Sequence, residues 1–321
     1  MIKKFFLSTL IVFASCKEDK TKRYVPESNG NINNITVVIS KDLWKGNIGM
    51  TIRDKFEAPY EGLPIDEPIF SLKQLPPESF SGFARNSRNI LWIKKDSVSS
   101  HRLFYNKYAK PQIIGFFSEE NEDSLSLKIK ENSDYLIRSF QNQERKEKKL
   151  RILKSRSKER ALLEKFNFTL TYPSAYNTVK DTINFIWIEK KITKGTLNIV
   201  AYTIPLHSIK NNETKRIIKI RDSIGKIYIP GRLPMSYMVT EKAYTPYFYK
   251  LNFLHREAFL TKGTWEVKND FMAGPFINYT IKDTINKRWI VIEGFSFAPS
   301  SSKREYMFEL NTIINTLEIK N

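Results

Sequence analysis

Residues 1–16 read MIKKFFLSTLIVFASC, and Cys16 is the only thiol in the 321 residues. A cysteine there can offer its sulfur as a nucleophile to an activated lipid. A sole cysteine closes no intramolecular disulfide and builds no cysteine-rich metal site. Lys3 and Lys4 precede an apolar stretch at 5–13 that only Ser8 and Thr9 interrupt, and Ala14 and Ser15 are small. A positive start, a short apolar core and small residues before a cut are the three parts of a secretory leader. The stretch is far shorter than the roughly 20 residues that cross a bilayer as a helix.

Other reactive side chains are sparse. His101, His207 and His255 are far apart in sequence, and none has a metal ligand at helical spacing. His255-Arg256-Glu257 offers an acid–base pair or an exposed ion pair. The chain has no Gly-x-Ser-x-Gly elbow, His-Glu-x-x-His helix, phosphate loop or dinucleotide glycine fingerprint, so no cofactor is expected. The best candidate for ligand binding is the connection Asn269-Asp270-Phe271-Met272-Ala273-Gly274-Pro275, with Trp265 just before it. Asp270 could hold a ligand or act as a base beside two large apolar side chains. The competing reading is an Asx-capped turn with Phe271 and Met272 buried.

Val12-Phe13-Ala14-Ser15-Cys16 resembles the lipobox of bacterial lipoproteins, with Phe13 where leucine is usual. The resemblance implies cleavage between Ser15 and Cys16, thioether lipidation of Cys16 and acylation of the new amino terminus. Several acyl chains anchor stably where one is marginal, at about 0.8 kcal/mol per buried methylene. Lys17-Glu18-Asp19 resembles the surface-export tag of Bacteroidetes lipoproteins, or is a solvated charged tether.

The elements needed to carry such a body are legible in part. Residues 35–39, 89–93 and 112–117 are apolar, strand-like runs, and 124–130 alternates as a half-exposed strand. The spacing from Asp42 to Phe56 fits an amphipathic helix weakened by Gly46 and Gly49. From 133 to 166 there is no Gly or Pro, which predicts one long helix or two with a break near 155–157. Its run Arg145–Arg160 holds nine basic and two acidic residues. That run reads as a solvated joining face, or as an arm toward lipid head groups. Strands are expected at 166–172, 183–189, 196–203, 225–229, 247–253, 264–268, 276–282 and 288–297, with the last two a hairpin, and a helix at 209–224. Ser302 and Glu305 make a capping box. Tyr306, Leu310, Ile313, Ile314 and Leu317 follow as one helical stripe. Lys-Asp-Thr-Ile-Asn occurs at both 180–184 and 282–286, each followed by a tryptophan. This suggests two polar turns feeding aromatic strands rather than a duplicated domain.

The expected architecture is α+β: antiparallel sheets packed by helices, in two halves joined by a long basic helical segment. The expected divisions are a leader at 1–15, a flexible tether at 16–34, an α+β domain at 35–130, the basic helix at 131–165 and a second α+β domain at 166–321. The formal charge is +19, or +17 once Lys3 and Lys4 leave with the leader. Export from the cytoplasm and a lysine-heavy composition argue against nucleic acid and for an anionic membrane face or an acidic glycan. The expected partners are the membrane, through the lipid, and an envelope protein or glycan. The site of action is the cell envelope, at the outer membrane. A binding or scaffolding role leads; a carrier or sensor of an apolar or glycan ligand and a hydrolase with a carboxylate pair stay open.

The segment Gly263-Thr-Trp265-Glu-Val-Lys-Asn269-Asp270-Phe271-Met272-Ala-Gly274-Pro275-Phe276 resembles an uncharacterised family of Bacteroidetes lipoproteins, domain of unknown function 4837. Trp44-Lys45-Gly46, Gly62-Leu63-Pro64, Glu67-Pro68, Gly294-Phe295 and Lys303-Arg304-Glu305-Tyr306 fit it too. The pattern Phe166-x-Phe168-x-x-x-Tyr172-Pro173 before a sheet and a closing helix resembles PsbP-like domains. Folds of that kind host unrelated functions.

Overall fold

The computed structural model describes residues 24–210 and 213–320. Ser15, Cys16 and the 17–19 tag therefore lie outside the described residues. β-branched residues form β1 (Asn34–Val38), followed by α1 (Lys41–Lys45) and α2 (Asn47–Phe56), which part at Gly46. Gly49 stands inside α2 because a Cβ there would meet the Trp44 carbonyl oxygen at 1.8 Å. Next come β2 (Ser71–Leu75), β3 (Asn89–Lys95), β4 (Ser100–Tyr105) and β5 (Ile113–Glu119). The sheet order is β2-β1-β3-β5-β4.

Mostly antiparallel pairing and the α+β class hold for the molecule, but this first sheet departs from the expectation. Three of its pairings are parallel, and only β4 with β5 is antiparallel. The crossover through α1 and α2 returns the chain to the start of its next strand, which makes β2 parallel to β1.

Residues 124–130, expected as a strand, are instead the first turns of α3 (Glu122–Leu153). Asn121 caps the helix by accepting from the Ser124 N–H at 2.9 Å. Leu125 and Ile129, four residues apart, enter the core with Leu136 and Phe140, while Leu127 is 58% exposed. The alternation is real, but its middle member faces water. Gly115 lets α3 close on the sheet, since a Cβ there would lie 2.5 Å from a Leu136 methyl. The tether is also shorter than expected. Lys110 N–H donates to Pro26 O at 2.8 Å, Asn29 N–H to Asn86 O at 2.8 Å, and Asn33 is buried. These bonds hold the chain on the first sheet from Pro26 onward.

After the expected break come α4 (Ala161–Phe166), β6 (Phe168–Thr169), β7 (Asn177–Thr182), β8 (Phe185–Ile192), β9 (Gly195–Pro205) and α5 (Glu213–Tyr228). They are followed by β10 (Tyr237–Thr240), β11 (Tyr247–Phe253), β12 (Arg256–Lys268), β13 (Ala273–Asp283), β14 (Arg288–Phe297), α6 (Arg304–Ile314) and β15 (Glu318–Ile319). Only two residues of the strand expected at 166–172 pair, in a small ladder with β15. The strand expected at 225–229 is helix: α5 runs on, and Gly225 is there because a Cβ would strike the Met238 carbonyl oxygen of β10 at 2.2 Å.

The second sheet is antiparallel, in the order β10-β12-β13-β14-β9-β8-β7, with β11 also on β12. β14 is buried on both faces. Ile290 and Ile292 pack in the cluster with α6, and Val291 and Phe295 pack in the cluster under α5. Both Lys-Asp-Thr-Ile-Asn copies sit at hairpin turns, between β7 and β8 and between β13 and β14.

The capping box at Ser302 and Glu305 does not form. Glu67, from the other half, accepts the N–H groups of Lys303 at 2.6 Å and Arg304 at 2.9 Å. Glu305 instead accepts from Asn33 Nδ2 at 3.2 Å.

Candidate functional site

Side-chain alternation divides the first sheet into two unlike faces. Ile35, Val37, Leu91, Ile93, Ile113 and Phe117 point toward α2 and α3. Val38, Ile90, Trp92, Ile114 and Phe104 point the other way, in a cluster that Phe80 and Tyr108 complete from connecting segments rather than from a helix. Parallel strands are normally covered on both sides. This sheet therefore leaves a half-buried aromatic surface where a covering layer would stand.

The rings on that surface form a continuous patch. Trp92 meets Phe80 at 5.1 Å and Phe116 at 5.4 Å, both edge-on, and Phe80 meets Tyr108 at 5.7 Å. Such pairs each add about 0.5–1.5 kcal/mol beyond burial and hold the rings in place. Exposed cations lie over them. The Lys107 ammonium is 4.3 Å from the Phe104 ring and 5.4 Å from that of Tyr108, and the Arg85 guanidinium is 5.1 Å from Tyr108. Lys73 and Arg102 add charge from the strands, whereas Lys94 is paired with Asp96 just past the end of β3. A groove of about 390 Å³ continues the surface past Thr36, Lys73, Ser87 and the 77% exposed Phe83.

A buried network fixes the wall of this groove. Glu144 of α3, fully buried, accepts from Arg88 Nε at 2.7 Å, Arg88 Nη2 at 3.0 Å and the Asn33 N–H at 3.0 Å. The same Arg88 Nη2 reaches the Asn31 carbonyl oxygen at 3.0 Å. A charge pair taken out of water needs such a full set of partners. Flat rings can stack on the apolar faces of sugars, and flexible cations can meet carboxylate, sulfate or phosphate groups. Sequence reasoning missed this surface. β4 was not expected, and the alternation of Arg102 with Phe104 and of Ile114 with Phe116 was its only signal.

The family described as Domain of unknown function (DUF4837) matches residues 155–316, just over half of the chain. The chain belongs to this family. A second family, Domain of unknown function (DUF8532), matches residues 28–153, so the DUF4837 part begins just past the end of α3. A crystal structure from Bacteroides thetaiotaomicron VPI-5482 aligns at 13% identity over 48% of this chain and 46% of that one, with a TM-score of 0.28. The match thus spans less than half of that protein's length. The Ran-binding protein Mog1p of Saccharomyces cerevisiae aligns at 9% identity over 48% of this chain and 90% of its own, with a TM-score of 0.31. No curated protein matches the chain.

The ligand-binding residues expected from sequence, Trp265 and Asn269 to Met272, all fall in the DUF4837 part, and they do not converge. Trp265 is buried in the sheet interior, whereas Phe271 is fully exposed. Asn269 takes a left-handed turn conformation (φ 65°). Asp270 caps the turn through the Phe271 N–H at 2.7 Å and pairs with Arg232 at 2.7 Å. Hydrogen bonding to Arg232 brings its carboxyl down to about 2. Met272 is half-buried, its carbonyl accepting from the Val267 N–H at 2.8 Å. Asp270 thus serves the Phe271 N–H and Arg232, while Phe271 stands in solvent and Met272 is half-buried rather than both lying in the core.

Three further DUF4837 carboxylates are held in ion pairs. Glu293 is held by Arg221 at 2.8 Å, Asp283 by Arg256 at 3.2 Å and Arg288 at 2.9 Å, and Glu257 by Lys250 at 3.0 Å and Lys282 at 2.8 Å. Members of the 255–257 triplet therefore serve different partners. Among the described residues no His, Cys, Asp or Glu group is placed to hold a metal. No described helix is long and apolar enough to cross a membrane.

Proposed function

We propose that this protein is a lipid-anchored component of the bacterial cell envelope, held at the outer membrane through Cys16, and that it acts by binding an acidic glycan. The observation that carries the binding reading is the aromatic and cationic surface on the helix-free face of the first sheet. Trp92, Phe104, Tyr108 and Phe116 are half-buried there beneath Arg85 and Lys107. Stacking and charge pairing there are additive contributions of about 0.5–2 kcal/mol each, so a multi-residue glycan is favoured over a single sugar.

The test is titration calorimetry with acidic and neutral envelope oligosaccharides. Wild-type protein should take up the acidic ones, more weakly as salt is raised. Trp92→Ala should weaken binding on the order of tenfold, and Lys107→Glu should lower it while leaving the melting temperature unchanged. Equal affinity for neutral and acidic sugars, or an unaffected Trp92→Ala variant, would remove this face from consideration. The anchor is tested separately by Cys16→Ser, which should abolish lipidation and release the protein from membranes.

A further inference from the structure

Resting on the anchored reading above, we infer that the end of α3 beside the tether is a second, non-covalent membrane contact, which seats the body on an anionic lipid surface in one orientation. Residues 17–23 alone separate Cys16 from the first described residue, Tyr24. Whatever path they take, eight Cα–Cα steps reach at most about 28 Å. The chain meets the body at Pro26, whose carbonyl accepts from Lys110, and at Ser28, whose N–H donates to the same residue's carbonyl at 3.1 Å.

What surrounds that entry point is unlike an ordinary solvated helix end. Glu27, Ser28 and Lys110 share a groove with Leu150, Arg151 and Leu153 of α3. Leu150 is 54% and Leu153 42% exposed, both on the last turn of α3. Tyr24, 85% exposed, stands on the incoming strand of chain. Lys110, Lys154, Arg156 and Lys158 are exposed around them or follow directly, and the tether sequence Lys17-Glu-Asp-Lys-Thr-Lys-Arg23 is itself basic in balance.

The topology makes the coincidence directional. α3 runs against β5, so its last turn lies at the strand starts, where the anchored segment also enters. A lipid at Cys16 therefore brings the bilayer toward an end of the body that combines exposed leucines with the exposed cations Lys110 and Lys154. Apolar side chains reach the acyl boundary and lysines meet lipid phosphates, which is the composition of an interfacial contact.

The test uses the full lipidated chain, in which Cys16 is blocked and an added cysteine is the only free thiol. Leu150→Cys and Val98→Cys carry an environment-sensitive fluorophore; Val98 lies beyond the opposite ends of the strands and is 66% exposed. In phosphatidylglycerol vesicles the label at 150 should shift to the blue and be shielded from aqueous iodide. The label at 98 should stay water-like. Phosphatidylcholine vesicles, or Lys110→Glu with Lys154→Glu, should reverse the shift at 150. Indistinguishable spectra at 150 and 98 in anionic vesicles would overturn the contact while leaving the anchor intact. Failure of the anchor itself would look different: wild-type protein would not float with vesicles, and its Cys16 would take up the label.

Discussion

Replacing Glu144 by alanine removes the carboxylate that holds Arg88 most closely and leaves it the Gly30 and Asn31 carbonyls, and the structure allows the consequence to be sized. Both side chains are almost wholly shut from water, at 0% and 2% exposure, and the carboxylate receives both Arg88 and the Asn33 N–H. Glu144→Ala leaves a guanidinium buried without its counter-charge, which costs about 3–5 kcal/mol. With a urea slope of about 3 kcal/mol per molar, the midpoint should fall by roughly 1–1.7 M. Glu144→Leu combined with Arg88→Met removes both charges and fills the space, so its stability should lie within about 1 kcal/mol of wild type. The assay is urea unfolding followed by far-UV circular dichroism and tryptophan emission. Trp44 and Trp92 report the first half, and Trp187, Trp265 and Trp289 the second. A single variant that loses less than about 1 kcal/mol would mean that water reaches Arg88 and that the pair is not the buried lock described here.

Burial drives the Glu309 carboxyl upward, but Lys148 and Lys190 outweigh it and hold it below its ordinary value. A depressed carboxylate stabilises the fold above its unfolded pKa, and that contribution is lost as pH falls through the folded one. Stability should therefore drop on acidification below about 4.5, and Glu309→Gln should flatten that slope in urea titrations at stepped pH. Gly49→Ala should destabilise by about 1–3 kcal/mol in thermal melts despite alanine's better helix propensity, because its methyl would overlap the Trp44 carbonyl oxygen. Phe271→Ser should change stability by less than about 0.5 kcal/mol, since the ring is fully exposed; a larger loss would place it in a packed environment. Glu67→Ala should cost about 1–2 kcal/mol and speed amide exchange in the first turn of α6.

Elements that bury a regular stripe were legible before the fold was known. Leu310, Ile313, Ile314 and Leu317 declared α6, and the doubly apolar 288–297 segment declared a central strand. Misreadings came where a tertiary neighbour decided the matter. Leu127 completed a false strand alternation because a helix end turns it to solvent. Gly225 looked like a helix stop, yet it is a crossing point for β10. The cap of α6 could not be read locally, because its acceptor lies more than two hundred positions away. For the candidate surface, composition gave the cations and the rings, but only pairing between β3, β4 and β5 places them together. The turn at 269–272 misled in the opposite sense: its polar and aromatic residues are adjacent in sequence and diverge in space.

The carboxylate of Glu67 on α6 has a consequence for how the chain is finished. α6 follows in the chain the strands it covers, β9, β13 and β14, so it is made after them. Until it arrives, Gly294, Ile277 and Ile292 lie bare on the sheet, and Glu67 and Lys148 lack the groups they bind. A copy cut short before Arg304 thus carries a visible apolar scar, open to proteases and to sticking. Docking of α6 satisfies Glu67 and Lys148 of the first half and covers the second sheet in one event, so the seam couples the completion of one half to that of the other.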